Sequence, residues 1–185
     1  MRTFIALPVP EEVKQTLGAA IQRLTPSGID VTWNDKTKLH ITLAFLGETA
    51  PAILPHLHTA IGTLVSRYQP FRCHAYGLGF FGNKRNPKVL WAGLDPTPEL
   101  MELNEELWTL LKRFGYKDET IGDYRPHITL GRCPERAKNI QLVKAMDAET
   151  EIDYGTWTAP MVVHYESKLT PRGPLYSPLN KFKLV

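Results

Sequence analysis

Two segments of the chain alternate apolar and polar residues in the same way. Positions 40–47 read His-Ile-Thr-Leu-Ala-Phe-Leu-Gly, and positions 125–132 read Arg-Pro-His-Ile-Thr-Leu-Gly-Arg. Alternation with a period of two predicts a β-strand whose successive side chains point to opposite faces. Each segment therefore presents one histidine and one threonine on the same face, with apolar residues on the other.

The hydrophobic pattern predicts further strands and helices along the chain. Apolar stripes at helical spacing predict helices within 13–24, 51–68 and 100–111, and the first helix is expected to end at 26–28. Alternating or continuous apolar runs predict strands at 2–7, 31–33, 71–81, 89–94, 158–167 and 175–185. The strands at 71–81 and 89–94 form a predicted hairpin around a basic turn. The last two strands form another, with its turn at 170–174. Residues 134–150 show no clear pattern.

A strand, a proline-led helix and a His-x-Thr strand occur twice in the same order. The two histidines are 87 residues apart (127 − 40), and Pro10 and Pro98 are 88 apart (98 − 10). An internal repeat of this length predicts one domain over 1–185, with copy one at about 1–80 and copy two at about 88–185. The fold class is α+β, with two pseudo-twofold-related lobes of mainly antiparallel strands and a few long helices.

The composition is that of an ordinary globular protein. Of the 185 residues, 43% are hydrophobic and 22% charged, with a net charge of +3. No apolar run reaches the length of a membrane helix, and the first residues lack the long apolar core of a secretory signal. Cys73 and Cys133 match neither a disulfide framework nor a zinc pair. These features predict a cytoplasmic protein with free thiols, and the mildly basic charge is compatible with a phosphate-bearing substrate.

Two His-x-Thr strands facing one cleft suit cleavage of a phosphodiester. In-line displacement needs one group to remove a proton from the nucleophile and another to protonate the leaving oxygen. Histidine performs either task near neutral pH, and threonine hydroxyls can donate to the non-bridging oxygens. His40, His127, Thr42 and Thr129 are therefore the candidate catalytic residues, and no metal or cofactor is required. A zinc site lacks a third ligand, and no Gly-x-Ser-x-Gly elbow supports a serine hydrolase.

Residues beside the two motifs are candidate substrate ligands. Arg125 occupies the position equivalent to Lys38, and Arg132 the position equivalent to Phe45 (45 + 87). Arg132 is a natural phosphate clamp, although strict alternation places it opposite His127 unless a bulge at Gly131 redirects it; the alternative is a solvated surface arginine. Phe45 is either a core residue or a base-stacking ring. Three residues of the last hairpin are further candidates for lining the cleft: Tyr165, Ser167 and Tyr176.

The other histidines and the basic turn have simpler interpretations. His56 and His58 lie two residues apart on a predicted helix and are read as surface residues. His74 and His164 lie in predicted strands and are assigned to packing or to hairpin polarity. The basic turn at 82–88 is either solvated or in contact with an RNA backbone.

These motifs resemble the 2H phosphoesterases, in particular the RNA 2′,3′-cyclic phosphodiesterases, also called 2′-5′ RNA ligases. The resemblance implies a LigT-like fold with outer helices around a central cleft. It also implies hydrolysis of an RNA 2′,3′-cyclic phosphate to a 2′-phosphomonoester, with His40 as proton donor and His127 activating water. Some relatives join RNA ends through a 2′-5′ linkage with the same two groups. The matching stretches span nearly the whole chain, at 4–7, 40–47, 89–91, 125–132, 166–167 and 173–176.

Two alternatives remain at this point. The same chemistry could act on small cyclic nucleotides or on 2′-5′ oligonucleotides, or the chain could be an RNA- or nucleotide-binding module without turnover. The expected partners are RNA ends or nucleotides that carry a 2′,3′-cyclic phosphate, with no membrane, and the expected state is a monomer.

Overall fold

The computed structural model describes residues 1–27, 30–119, 122–134, 139–171 and 173–185. In these ranges the chain forms nine strands and four helices. The strands are β1 (Arg2–Pro8), β2 (Thr32–Trp33), β3 (His40–Glu48), β4 (Phe71–Asn83), β5 (Asn86–Leu94), β6 (His127–Arg132), β7 (Asp153–Ala159), β8 (Met161–Thr170) and β9 (Gly173–Lys183). The helices are α1 (Glu11–Leu24), α2 (Leu54–Val65), α3 (Pro98–Arg113) and α4 (Ile140–Asp147), with short 3₁₀ turns at Thr25–Ser27, Lys36–Lys38 and Pro51–Ile53.

All nine strands belong to one antiparallel sheet, which confirms the α+β class. Its order is β7-β4-β5-β6-β3-β1-β8-β9, and β2 pairs with β6 off this path. The two motif strands β3 and β6 meet at the centre through the pair Ile41 and Ile128. The order is symmetric about this central pair, because β6, β5 and β4 on one side correspond to β3, β1 and β8 on the other.

The two halves of the sheet exchange their third strands. β4 follows β3 in the chain but pairs with β5, whereas β8 follows the second motif but pairs with β1. Each spatial half is therefore completed by a strand from the other sequence copy. The division into copies at about 1–80 and 88–185 stays a prediction about the repeat, and the halves of the sheet do not coincide with it.

The helices cover the apolar face of the sheet. α2 packs against α3 and β9, while α1 packs against α4 and β7. The apolar stripes face inward, as Leu17 of α1, Leu57 of α2 and Leu107 of α3 are fully buried. One continuous apolar core fills the space between helices and sheet. Among the described helices, none combines the length and apolar character needed to cross a membrane.

The region after the second motif differs most from the sequence-based prediction. The predicted strand at 158–167 is confirmed only for 161–167, which belong to β8, because the chain turns at Pro160 and residues 158–159 end β7. Proline has no N–H for a sheet ladder, and here the chain passes from one half of the sheet to the other. The unassigned residues 134–150 contain α4, whose short apolar face consists of Leu142, Val143 and Met146. The predicted helix at 51–68 is shorter, with its first turn 3₁₀.

The predicted helix end at 26–28 includes Gly28 and the predicted turn at 170–174 includes Arg172, and both residues lie outside the described ranges.

His58 is not a simple surface residue, because its Nε2 lies 2.9 Å from Nδ1 of the fully buried His164. Burial, and then the neighbouring His58, lower the pKa of His164 to about 4. This pair therefore joins α2 to β8 as neutral imidazoles.

Candidate active site

The central strand pair brings the two His-x-Thr motifs together. β3 and β6 run antiparallel with Ile41 opposite Ile128. Continuing this register by one residue on either side places His40 opposite Thr129 and Thr42 opposite His127. The four side chains therefore share one face of the sheet, called here the cleft face, while Ile41 and Ile128 are fully buried on the other.

Backbone carbonyl groups hold both imidazole rings in the same tautomer. Nδ1 of His40 lies 2.7 Å from the carbonyl oxygen of Lys38, and Nδ1 of His127 lies 2.7 Å from that of Arg125. A carbonyl oxygen only accepts hydrogen bonds, so each Nδ1 carries a proton and donates it. Each Nε2 is then the ring nitrogen left to exchange a proton, because it can act as a base in the neutral ring and as an acid in the cation.

Both imidazoles have lowered pKa values. Burial is the main cause for His40, the positive charges of His127 and Lys14 add to it, and the bond to the Lys38 carbonyl opposes it. Burial also dominates for His127, where the Arg132 guanidinium lowers the pKa further and the bond to the Arg125 carbonyl opposes the shift. A positive charge on His127 therefore disfavours protonation of His40.

Two equivalent β-bulges redirect the residues that follow each motif. In β3 the register passes from Thr42 to Ala44 without a partner for Leu43, so Phe45 returns to the cleft face opposite Phe4. Phe45 is 59% exposed, and the predictions that it faces away from His40 or belongs to the core are wrong. An extra residue in a bulged strand reverses the alternation beyond it.

The second bulge acts on Arg132. The register of β6 against β5 passes from Thr129 to Gly131 and leaves Leu130 unpaired, which returns Arg132 to the face of His127. The bulge predicted at Gly131 is therefore present. A Cβ at Gly131 would lie 2.9 Å from a methyl carbon of Val31 and 3.0 Å from the Trp33 ring, so glycine is required by the close approach of β2.

Hydrogen bonds from outside the motifs satisfy the carbonyl groups that the bulges leave free. The side chain of Asn104, which lies on α3 and is 5% exposed, donates to the Leu43 oxygen at 2.8 Å. The backbone N–H of Asn34 donates to the Leu130 oxygen at 2.8 Å. Sequence reasoning missed both residues. The one sequence signal for Asn104 is that a polar residue occupies a position in the apolar stripe of a helix, where a buried side chain needs a hydrogen-bond partner.

The two motif threonines keep their hydroxyl groups available. Their backbone carbonyls are bound, because the Tyr124 hydroxyl donates to the Thr42 oxygen at 2.9 Å and the Asn34 side chain donates to the Thr129 oxygen at 2.8 Å. Within the described ranges, neither threonine hydroxyl forms a hydrogen bond to another protein group. Both are half-buried beside an imidazole, where a bound anion would accept from them.

The two ends of the site differ in chemistry. Aromatic rings surround His40. The centroid of its ring lies 4.8 Å from that of Phe4 and 5.3 Å from that of Tyr176, which meets it edge on. Tyr165 stacks on Phe4 at 5.2 Å. On the opposite side, Phe81 contacts His127 edge on at 4.9 Å.

Besides Phe81, the side of the site next to His127 is formed by Trp91 and the guanidinium of Arg132. The Trp91 ring lies 5.6 Å from Phe81 and directly over Gly79, where a Cβ would lie 2.2 Å from the indole. Gly79 therefore makes room for this aromatic wall. No pattern in the sequence marks Phe4, Phe81 or Trp91 as parts of the site.

The remaining candidate ligands lie at the rim of the site. Ser167 pairs with Tyr176 and shares the face of Tyr165 by alternation along β8. Arg125 is exposed and contributes its backbone carbonyl to His127. The contacts of Phe45, Arg125, Arg132, Tyr165 and Ser167 with a substrate stay predictions. The described residues contain no group of three or more His, Cys, Asp and Glu side chains able to hold a metal ion.

Comparisons with known proteins agree on one family. The model of the 2′-5′ RNA ligase superfamily matches residues 9–159. An RNA 2′,3′-cyclic phosphodiesterase of Thermotoga maritima is 34% identical, covering 97% of this chain and 93% of its own, and one of Archaeoglobus fulgidus is 28% identical, covering 99% and 100%. The crystal structure of TT0787 of Thermus thermophilus matches with a TM-score of 0.83 at 28% identity, covering 100% of this chain and 98% of its own. E. coli LigT complexed with 3′-AMP matches with a TM-score of 0.75 at 25% identity, covering 99% and 97%.

Proposed function

The chain belongs to the 2′-5′ RNA ligase superfamily, and we propose that it is an RNA 2′,3′-cyclic phosphodiesterase that hydrolyses cyclic phosphate ends to 2′-phosphomonoesters. The observation that carries the proposal is the facing pair of His-x-Thr motifs, with both imidazoles held through Nδ1 and both Nε2 atoms free to exchange protons. Relatives named for this activity cover nearly the full length of the chain. A binding module would not need two proton-transfer groups.

In the proposed reaction the two histidines act on opposite sides of phosphorus. Nε2 of neutral His127 removes a proton from water, whose oxygen forms the new bond to phosphorus. The bond from phosphorus to the 3′ oxygen breaks, and protonated His40 donates its proton to that oxygen. The ribose leaves with a 3′ hydroxyl and a 2′-phosphate, and solvent returns the proton from His127 to His40.

The charge that develops on the non-bridging oxygens meets three donors. The hydroxyls of Thr42 and Thr129 lie beside the imidazoles, and Arg132 adds a guanidinium on the same face. Fixed donors of this kind stabilise the transition state because they need no reorganisation during the reaction. The protein performs both proton transfers itself, so the proposed mechanism needs no metal ion.

Two extensions follow from the same arrangement. The 5′ hydroxyl of a second RNA can take the place of water, which would create a 2′-5′ phosphodiester reversibly with the same acid and base. All of the proposed catalytic groups come from one chain, so we propose that residues 1–185 act as a single bilobal domain and as a monomer.

The direct test of function uses an RNA oligonucleotide that ends in a 2′,3′-cyclic phosphate. Incubation with the protein and EDTA is expected to give a product heavier by one water whose phosphate is removed by phosphatase. Digestion to the terminal nucleoside monophosphate will identify the 2′ isomer. A 3′-phosphate product, or a strict metal requirement, would contradict the proposal, and binding without turnover would favour the non-catalytic alternative.

The pH dependence of kcat/KM is expected to be bell-shaped with its maximum on the acid side of neutrality. The base must be neutral, so activity falls as pH drops below its pKa; the acid must be protonated, so activity falls as pH rises above its pKa. Both histidine pKa values are lowered in the free protein, which moves both limbs below the ordinary value near 6.5. A bound phosphodiester anion favours the protonated form of both imidazoles and so raises both pKa values. The pH profile of kcat should therefore lie at higher pH than that of kcat/KM. Coincident profiles would contradict this account.

A further inference from the structure

A pocket of about 220 Å³ adjoins the site on the side of His40. Its lining residues include His40 itself, two lysines and three of the aromatic rings described above: Phe4, Lys14, Lys38, His40, Tyr165 and Tyr176. Lys14 lies on α1 and Lys38 ends the 3₁₀ turn before β3, so two different elements each place an ammonium group at the same opening.

The two lysines bring positive charge to this pocket. The pKa of the nearby Asp35 carboxyl is lowered mainly by hydrogen bonds from Thr37 and further by the charge of Lys38, so this carboxylate offsets part of that charge. Lys14 donates to the backbone oxygen of Thr37 at 3.2 Å, and within the described ranges neither lysine forms an ion pair. Both residues are half-buried and line the same pocket as His40. Two cations in a concave, partly aromatic pocket are suited to a phosphodiester with its ribose and base.

The hairpin of β8 and β9 forms one wall of this pocket. The pairing of β1 with β8 ends at Thr3 and Glu166, and the hairpin continues beyond that ladder. Its tip approaches Lys38, because a Cβ at Gly173 would lie 3.7 Å from the Lys38 ammonium. Tyr176 on β9 contacts both Phe4 and His40. The pocket is therefore enclosed by elements from both ends of the chain.

The direction of the substrate follows from the proposed function, on which this inference rests. If His40 protonates the departing 3′ oxygen, the ribose lies on the His40 side and the attacking water on the His127 side. The RNA chain leaves that ribose through its 5′ oxygen, and the next phosphodiester lies one nucleotide away on the same side. The pocket of Lys14 and Lys38 is the basic opening that adjoins His40.

We propose that this pocket is a subsite for the penultimate nucleotide of an RNA end, with Lys14 and Lys38 holding the phosphodiester that joins the last two nucleotides. The subsite makes the protein select a chain end over a free cyclic mononucleotide. Arg132 and the motif threonines bind the scissile phosphate, and the lysine pair binds the phosphate before it.

The test compares three substrates under EDTA: 2′,3′-cyclic AMP, the dinucleotide ApA with a 2′,3′-cyclic phosphate, and the same dinucleotide with a neutral methylphosphonate linkage. The wild type is expected to prefer the charged dinucleotide in kcat/KM. Lys14→Gln and Lys38→Gln should each lower this preference roughly tenfold, and each should reduce the slope of log(kcat/KM) against log[salt] for the dinucleotide by about one. The methylphosphonate dinucleotide should be treated like the mononucleotide.

Lys36→Gln provides the matched control, because Lys36 is exposed on the same 3₁₀ turn and does not line the pocket. It removes the same charge and should leave the preference intact. Equal turnover of all three substrates by the wild type, or equal losses in Lys14→Gln, Lys38→Gln and Lys36→Gln, would overturn the subsite while the proposed function stands. Equal activity on both dinucleotides would overturn the role of the phosphate. Turnover of none of the substrates would refute the proposed function, and this inference with it.

Discussion

Replacing either motif histidine with alanine is expected to lower kcat/KM on an RNA 2′,3′-cyclic phosphate by about 10²–10⁴-fold. His40→Ala removes the proton donor to the 3′ oxygen, and His127→Ala removes the base that activates water. The double variant should lose little more than the worse single variant, since the two groups act together in one transition state. Steady-state kinetics with a fluorescently labelled oligonucleotide will measure all three losses.

The control for the histidine variants is the other histidine pair. His58→Ala changes an imidazole that contacts His164 under α2, away from the cleft face. It should alter the stability of the protein and leave kcat/KM near that of the wild type. Thermal unfolding of every variant separates loss of fold from loss of chemistry. Activity of His127→Ala within tenfold of the wild type would contradict the proposed base.

Substitution of Arg132 is expected to have the next largest effect. Arg132→Gln removes the cation that the second bulge directs to the cleft face, and loss of one such donor costs roughly 10²–10³-fold in kcat. Arg132→Lys should recover only part of the loss, because a lysine cannot bind two phosphate oxygens in a fork. The guanidinium also lowers the pKa of His127. In Arg132→Gln the acid limb of the kcat/KM profile should therefore move to higher pH.

Arg113→Gln is the matched control, because Arg113 is exposed in the last turn of α3, on the helical side of the sheet. It removes the same charge from the protein and should change neither kcat nor the pH profile. A large loss in Arg132→Gln without any movement of the acid limb would place the guanidinium away from His127. No loss at all would restore the interpretation of Arg132 as a solvated surface residue.

The centre of the site could be predicted from the sequence because its information is local. A period of two places His40 with Thr42 and His127 with Thr129, and the 87-residue repeat pairs the two motifs. The faces of Phe45 and Arg132 required the bulges, and a bulge depends on partners in other strands. Gly131 is a local signal for one of the bulges. Leu43 gives no such signal, because the group that binds its carbonyl is the side chain of Asn104, which lies on a helix distant in the sequence.

The arrangement of the halves could not be predicted for a similar reason. The exchange of β4 and β8 between the halves depends on long-range strand pairing. The sequence pattern of the two copies would be the same with or without this exchange. The turn at Pro160 was hidden inside an apolar run, although a proline there argued against a continuous strand. α4 is short and has only three buried apolar residues, which is too few for a clear helical period.

The division of roles between the two histidines is the central claim, and a change of leaving group tests it most directly. A nucleoside p-nitrophenyl phosphodiester releases a stable anion that needs no proton, whereas the 3′ oxygen of a cyclic phosphate needs one. Relative to the wild type on each substrate, the loss in His40→Ala should shrink to less than about tenfold on the nitrophenyl ester, and the loss in His127→Ala should persist at about 10²–10⁴-fold. Equal losses of His40→Ala on both substrates, or recovery of His127→Ala instead, would contradict the assignment of His40 as acid and His127 as base.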